Sequence, residues 1–443
     1  MTIRRTDTSE SISIGAFELA AVLATVLVLA LVYYLTQEPA QFFHFVDWDG
    51  LQYYSMAEQF RAGQEISAQG PEVYRIVSPF IVSLFPTQDL MAAFFWWDLS
   101  CAILATVLLY VWLRLHLKSR LLPFAFTVLA VCTLSSPVRI IIYHLVVLEG
   151  VAFLLIMLGF FCIYLYDHSY RLRWILALCL VTAIGAATRE ACIIPAVMLP
   201  FMGNPISVTM MRKILRPWVI TSDLIRIFFA REQVILWLPI ICGIVSVIAV
   251  RMSVDVSDKF SYLDMVSWGF SDVGPLRYFA SILNTFGPVI LVIFFIPRFF
   301  TGFFAERQGY AVALTLFLVM SWSALGDERY FVWVMPIIFL MIGFVLERHF
   351  DVLGNIKLIL TMIFFELIAI RALFEIVPTS QPMIERPIYV EALSRYLPDG
   401  WHWTETHAYN ADPKSVLTAV GVNLIMAWVL WLMMRTRIAK PVT

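Results

Sequence analysis

Across 443 residues the chain is 61% hydrophobic and only 14% charged, with a mean hydropathy of +0.82, far more apolar surface than a water-soluble domain of that length hides. Its 31 basic and 32 acidic residues stand in short scattered clusters, which excludes a nucleic-acid-binding surface. Such a chain needs lipid as a solvent, and its many apolar runs exclude a single-pass receptor.

A spanning helix takes roughly 20 apolar residues, and runs near that length recur throughout. The first, at 14–36, is longer than a signal-peptide core and lacks a small-x-small cleavage site, so a retained first helix is expected. The polar stretch 37–89 follows. Within it, Leu51, Tyr54, Met56 and Phe60 stand among polar residues of 50–69, the pattern of a short helix lying at a membrane interface. Further spans are expected at 90–113, 121–135, 142–166, 173–187, 191–203, 233–250, 278–297, 308–325, 330–346, 356–376 and 416–434. Those at 121–135, 173–187 and 191–203 fall short of a full crossing and read as tilted, re-entrant or shielded by neighbours. The expected architecture is an all-α polytopic membrane protein, one transmembrane domain over 1–443 with about 10–12 helices.

Charge asymmetry orients the bundle, because short cytoplasmic loops hold the excess of Lys and Arg. With the N-terminus inside, 19 of the 31 basic residues fall on the cytoplasmic side, among them Arg212, Lys213, Arg216, Arg226 and Arg231. Reading 173–203 as a single span would put that basic cluster outside, so two segments are expected there. Both termini are then cytoplasmic, in a bacterial inner (plasma) membrane. The breaks at 37–89, near Pro137, at Thr188–Glu190, 251–277, Gly326–Arg329 and 377–415 then face outside. The last, with Tyr396, Trp401, Trp403 and Tyr409, has the aromatic content of a membrane-surface or sugar-stacking segment. All six cysteines lie in apolar runs without CxxC spacing and read as packing residues.

The ionisable residues of the outer breaks are the chemical candidates. The densest polar motif runs Val46-Asp47-Trp48-Asp49-Gly50. Asp47 and Asp49 beside a membrane surface fit a general base for a hydroxyl or a divalent-metal ligand; either also fits the N-cap of the following helix. Arg75, Arg189 and Arg329 each end an apolar run, where a guanidinium needs a partner. Arg grips phosphate bidentately, whereas Glu190 and Glu328 offer internal ion pairs instead. Asp98 after Trp96-Trp97, and His144 and Glu149 in the fourth apolar run, are further residues for the same cavity. His402 and His407 near Glu405 meet no known metal-ligand spacing.

Taken together, Trp48-Asp49-Gly50, Tyr74-Arg75-Ile76-Val77-Ser78-Pro79, Ala187-Thr188-Arg189-Glu190 and Glu328-Arg329-Tyr330 followed by Pro336 resemble the GT-C superfamily of membrane glycosyltransferases. Within it, the likeness is to bacterial relatives of the dolichyl-phosphate-mannose-dependent mannosyltransferases. The resemblance implies a GT-C-like bundle with interfacial helices in the first external loop. It also implies a catalytic carboxylate in that loop, which the Trp-Asp-Gly setting maps to Asp49, with Asp47 second. The implied activity moves a sugar from a polyprenyl-phosphate carrier to a hydroxyl on a glycan, lipid or protein acceptor, with no required cofactor although the aspartate pair leaves a divalent metal open. The rival reading is a lipid or sugar-lipid flippase, which would concentrate ionisable groups at the membrane midplane rather than at outer helix ends; a scaffold subunit of an envelope assembly would tolerate neutral substitutions of Asp49.

Overall fold

The computed structural model describes residues 14–37, 49–133, 135–202, 231–256, 266–267, 275–294, 302–305, 307–323, 328–349, 356–369, 374–377, 384–387 and 413–435. In chain order these form α1 (Ala16–Thr36), α2 (Asp49–Ala62), β1 (Ser67–Ala68), α3 (Val77–Ser83), α4 (Leu90–His116), α5 (Leu121–Cys132), α6 (Pro137–Tyr143), α7 (Glu149–Ser169), α8 (Leu172–Ala186) and α9 (Ile194–Met198). Then come α10 (Arg231–Ser253), β2 (Asp255–Val256), α11 (Pro275–Phe286), α12 (Val289–Phe294), α13 (Gln308–Ser323), α14 (Met335–His349), α15 (Ile356–Ala369), β3 (Phe374–Val377), β4 (Ile384–Pro387) and α16 (Pro413–Arg435). The protein is all-α and polytopic. Among the described residues five helical stretches are long and apolar enough to cross a membrane, at Ala16–Thr36, Leu90–His116, Leu121–Tyr143, Glu149–Ser169 and Val234–Ser253.

Every span expected from hydropathy coincides with helix, but four differ in detail. The run 142–166 starts late: α6 ends at Tyr143 and α7 begins at Glu149, so His144 lies in a link and not in a helix. The uniformly apolar sequence there gives no periodicity signal for the break. Further, α5 and α6 together are long and apolar enough for a crossing at Leu121–Tyr143, and Pro137 is the first residue of α6 within it. The open carbonyl of Cys132 accepts from Arg139 Nη1 at 2.9 Å, and Thr133 Oγ1 donates to the Thr285 carbonyl at 2.9 Å, as freed backbone in a bundle interior requires. The run 278–297 breaks at Gly287, whose φ of +64° favours glycine. A Cβ there would stand 1.9 Å from Glu366 Oε2, and Glu366 Oε1 accepts from Val289 N at 2.7 Å to cap α12. Finally, α15 stops at Ala369, and Phe374–Val377 is a strand paired antiparallel with Ile384–Pro387.

Lipid gives apolar helices little reason to associate, so close approach and dispersion hold the bundle. Small residues mark those approaches. A Cβ on Gly159 of α7 would come within 2.9 Å of Pro195, and one on Gly243 of α10 within 2.9 Å of Thr182 of α8. Trp112, Phe153, Phe160, Phe317 and Phe331 are fully buried between the helices. By contrast, α1 buries only the stripe Val22, Val26, Ala30 and Tyr33, leaving an apolar outer face suited to lipid.

The first loop folds into α2, β1 and α3. The short helix expected within 50–69 is observed as Asp49–Ala62, ended by Gly63 at φ +66°. Its buried side is Gly50, Tyr53, Met56 and Ala57, packed on α3 and on the 3-10 turn Glu72–Tyr74. The loop is tied to distant chain: Val77 N donates to the Ala187 carbonyl at 3.4 Å, and β1 pairs in parallel with β2. Thus several breaks expected to share one side of the membrane do converge at one end of the bundle.

Candidate active site

Arg75 follows the 3-10 turn Glu72–Tyr74 and is buried, 8% exposed. Its Nη1 donates to Tyr53 Oη at 2.9 Å and lies 3.5 Å from Glu72 Oε1, while Nη2 lies 3.5 Å from Glu190 Oε2. Burial alone would lower this guanidinium's pKa, but Tyr53, Glu190 and Glu72 raise it above its ordinary value and keep it charged. The same burial pushes the Glu72 carboxyl up to about 6; Arg75 opposes that shift and Asp49 adds to it. Burial also raises the Tyr53 phenol, which therefore serves as a neutral hydrogen-bond acceptor for Arg75.

Arg189 occupies the corner after α8, its N–H bonded to the Gly185 carbonyl at 2.7 Å. Its guanidinium is ion-paired with Glu149, the first residue of α7, and lies over the rings of Tyr330 (4.8 Å) and Trp333 (5.3 Å). Behind it, Glu149 Oε2 accepts from Leu148 N at 3.0 Å. Asp98 of α4 accepts from Gly150 N at 3.3 Å and Val151 N at 3.0 Å. Two carboxylates at the N-terminus of α7 are stabilised by its free N–H groups and its dipole. A Cβ at Gly150 would stand 2.3 Å from the Asp98 carbonyl oxygen, so glycine is what lets α4 and α7 meet there.

Arg75 and Arg189 flank a cavity of about 550 Å³. Its polar wall is Asp49, Glu72, Arg75, Arg189, Glu190 and Arg251, with Tyr330 and Trp333 beneath. Its apolar wall includes Ile193, Met320 and the α10 residues Ile244, Val247 and Ile248. Ile244 and Ile248 are 50% and 52% exposed, so this wall continues onto the outer surface of the bundle. Residues 244, 248 and 251 lie on one helical stripe: an apolar track along α10 ends in a guanidinium. Arg251 stacks over the Tyr74 ring at 4.8 Å, beside the β1–β2 pairing, where Asp255 N donates to the Ile66 carbonyl at 2.9 Å.

Of the residues singled out from sequence, Asp49, Arg75, Arg189 and Glu190 line this cavity. Asp98 and Glu149 stand behind Arg189 instead, and His144 packs its ring on Tyr143 at 4.4 Å without lining the cavity. Asp47 and the side chains of Glu328 and Arg329 lie outside the described residues. Sequence reasoning missed Glu72, Tyr53, Arg251, Tyr330 and Trp333. Arg251 carries the same signal as the other arginines, an ionisable group ending an apolar run. Among the described residues no group of three or more His, Cys, Asp or Glu stands together to hold a metal ion. The arrangement can polarise a hydroxyl at Asp49, grip an anion between arginines, and accommodate an apolar chain along α10.

No family model matches the chain, and no curated protein does. Among solved structures, the chain is similar to ArnT from Cupriavidus metallidurans in the apo state, with a TM-score of 0.47 and 14% identity over 95% of this chain and 72% of that one. It is also similar to ArnT from the same organism bound to undecaprenyl phosphate, with a TM-score of 0.44 and 13% identity over 96% of this chain and 74% of that one.

Proposed function

We propose that this chain is a GT-C-type membrane glycosyltransferase that takes a sugar from a polyprenyl-phosphate carrier and passes it to a hydroxyl acceptor on the non-cytoplasmic face. The observation that carries the reading is the meeting, in one cavity, of Asp49, the guanidinium groups of Arg75 and Arg251, and an apolar track on the outer face of α10. An anionic headgroup with a long apolar tail is the ligand that needs all three. In this reading Asp49 takes the acceptor proton as the hydroxyl attacks the anomeric carbon, and the arginines stabilise charge on the departing phosphate. Arg189, ion-paired with Glu149, supports the floor made by Tyr330 and Trp333.

In purified protein, polyprenyl phosphate without a sugar is expected to compete with the sugar-loaded donor, and nucleotide sugars are expected neither to bind nor to be consumed. Arg75→Lys keeps the charge but loses the fork, so donor use should fall about tenfold, the equivalent of roughly 1.4 kcal/mol. Consumption of a nucleotide sugar would defeat the reading. So would movement of lipid across liposomes with no glycosidic bond broken, which is the flippase outcome.

Orientation has its own test. A single cysteine replacing Glu190, in a background cleared of the six native cysteines, should react with an impermeant maleimide on cells whose inner membrane is intact. Labelling only after that membrane is opened would put the cavity on the cytoplasmic side and remove the case for a lipid-linked donor.

A further inference from the structure

The polar wall places three carboxylates among its three guanidinium groups. Asp49, Glu72 and Glu190 all line the cavity, and Glu72 and Glu190 both already neutralise Arg75. Arg189 contributes little to balance them, because it is ion-paired with Glu149. A phosphate brought to Arg75 therefore meets two carboxylates already on that guanidinium. Like charges sharing a site cannot all stay ionised, and one must take up a proton or leave.

Resting on the glycosyltransferase reading, we propose that Glu72 is the proton carrier of the site: it takes up a proton as the donor phosphate binds beside Arg75, and it gives that proton to the phosphate as the sugar leaves. Three observations single out Glu72. It is held directly on Arg75 by the turn it belongs to, its side chain only 13% exposed against 26% for Glu190. Asp49 is among the charges acting on it. Burial and Asp49 outweigh Arg75 and push its carboxyl up to about 6. A further negative charge beside it raises the carboxyl's pKa again and favours its protonated form. The other groups facing it are Asp49 and Tyr53 from α2, Arg189 and Glu190 from the corner after α8, Arg251 from α10 and Tyr330 from the turn before α14. Of these, Asp49 and Glu190 are the other carboxylates, Tyr53 is held neutral, and the arginines do not titrate.

The step balances as follows. The acceptor oxygen forms a bond to the anomeric carbon while the bond from that carbon to the phosphate oxygen breaks, its electron pair passing to the oxygen. The acceptor proton goes to Asp49, and the Glu72 proton goes to the phosphate oxygen, which leaves as the singly charged monoester. Transfer of the Asp49 proton to Glu72 restores the site for the next donor.

The test uses a prenyl methyl phosphodiester, whose single charge is constant between pH 5 and 8, so that only the protein titrates. Isothermal titration calorimetry of the full chain in detergent, run at pH 7 in two buffers of different ionisation enthalpy, counts protons taken up on binding. The wild type is expected to take up close to one proton and to bind about tenfold tighter per pH unit on lowering pH from 8 to 7. Glu72→Gln, neutral and of the same shape, should bind the diester at least as tightly as wild type at pH 7.5 with no proton uptake, yet turn over the true donor about 100-fold more slowly with KM little changed. Binding by the wild type without proton uptake, or equal uptake by the variant, would overturn the proposal while leaving the donor reading intact. Failure of the wild type to bind the diester at any pH would overturn both. A variant that bound the diester but kept wild-type turnover would remove Glu72 from the chemistry.

Discussion

Asp49→Asn is expected to lower sugar transfer by about 100- to 10,000-fold, the usual cost of losing a general base, while folded protein remains in the membrane. The substitution separates two roles that the sequence leaves entangled. Asp49 lies in the first turn of α2, and Asn is nearly the same size, so α2 is expected to persist while the proton acceptor is lost. Turnover with saturating donor and acceptor, alongside a thermal unfolding curve in detergent, reads both quantities. An Asn variant with most of its turnover intact would reduce Asp49 to a cap. Loss of Tm together with turnover would make its part structural.

The second large effect concerns stability. Arg189 and Glu149 form an ion pair with both side chains almost wholly buried. Removing one partner leaves the other charged and desolvated, which costs about 3–5 kcal/mol. Arg189→Met should accordingly lower Tm more than any cavity-wall substitution named above. Adding Glu149→Gln should recover most of the loss, since Gln is neutral and its carbonyl still accepts from Leu148 N. Activity should not return with stability, because Tyr330 and Trp333 no longer have the guanidinium above them. A single Arg189→Met variant as stable as wild type would show that the pair carries no net stabilisation.

The parts of this fold that were legible in the sequence are those set by one-dimensional physics. Apolar runs of membrane length mark helices whatever their neighbours, which is why each expected span meets a helix. Ionisable residues at the ends of such runs mark positions where charge must be partnered, and that signal points to Arg75, Arg189 and Glu190, while the polar motif after the first span points to Asp49; all four line the cavity. It failed where the answer depends on which helices are adjacent. Asp98 and Glu149 carry the same signal, yet the approach of α4 to α7 at Gly150 turns Asp98 onto the N-terminus of α7. Glu72 reads in sequence as an ordinary loop acid after Pro71, because nothing local shows that its turn folds back against α2 and α10. Tyr330 and Trp333 gain their place at the site only because the corner after α8 brings Arg189 over them.

The β1–β2 clasp also sets an order of events. Residues 67–68 pair with 255–256, and Arg251 covers Tyr74, so one side of the cavity is completed by chain about 180 residues downstream of Arg75. At roughly 5–20 residues per second of synthesis, the nascent first loop waits on the order of 10–40 s before α10 arrives to cover it. Glu190, the other carboxylate on Arg75, arrives ahead of α10. Until α10 follows, the first loop rests on α4 and on the corner after α8, and its side toward α10 waits for its cover.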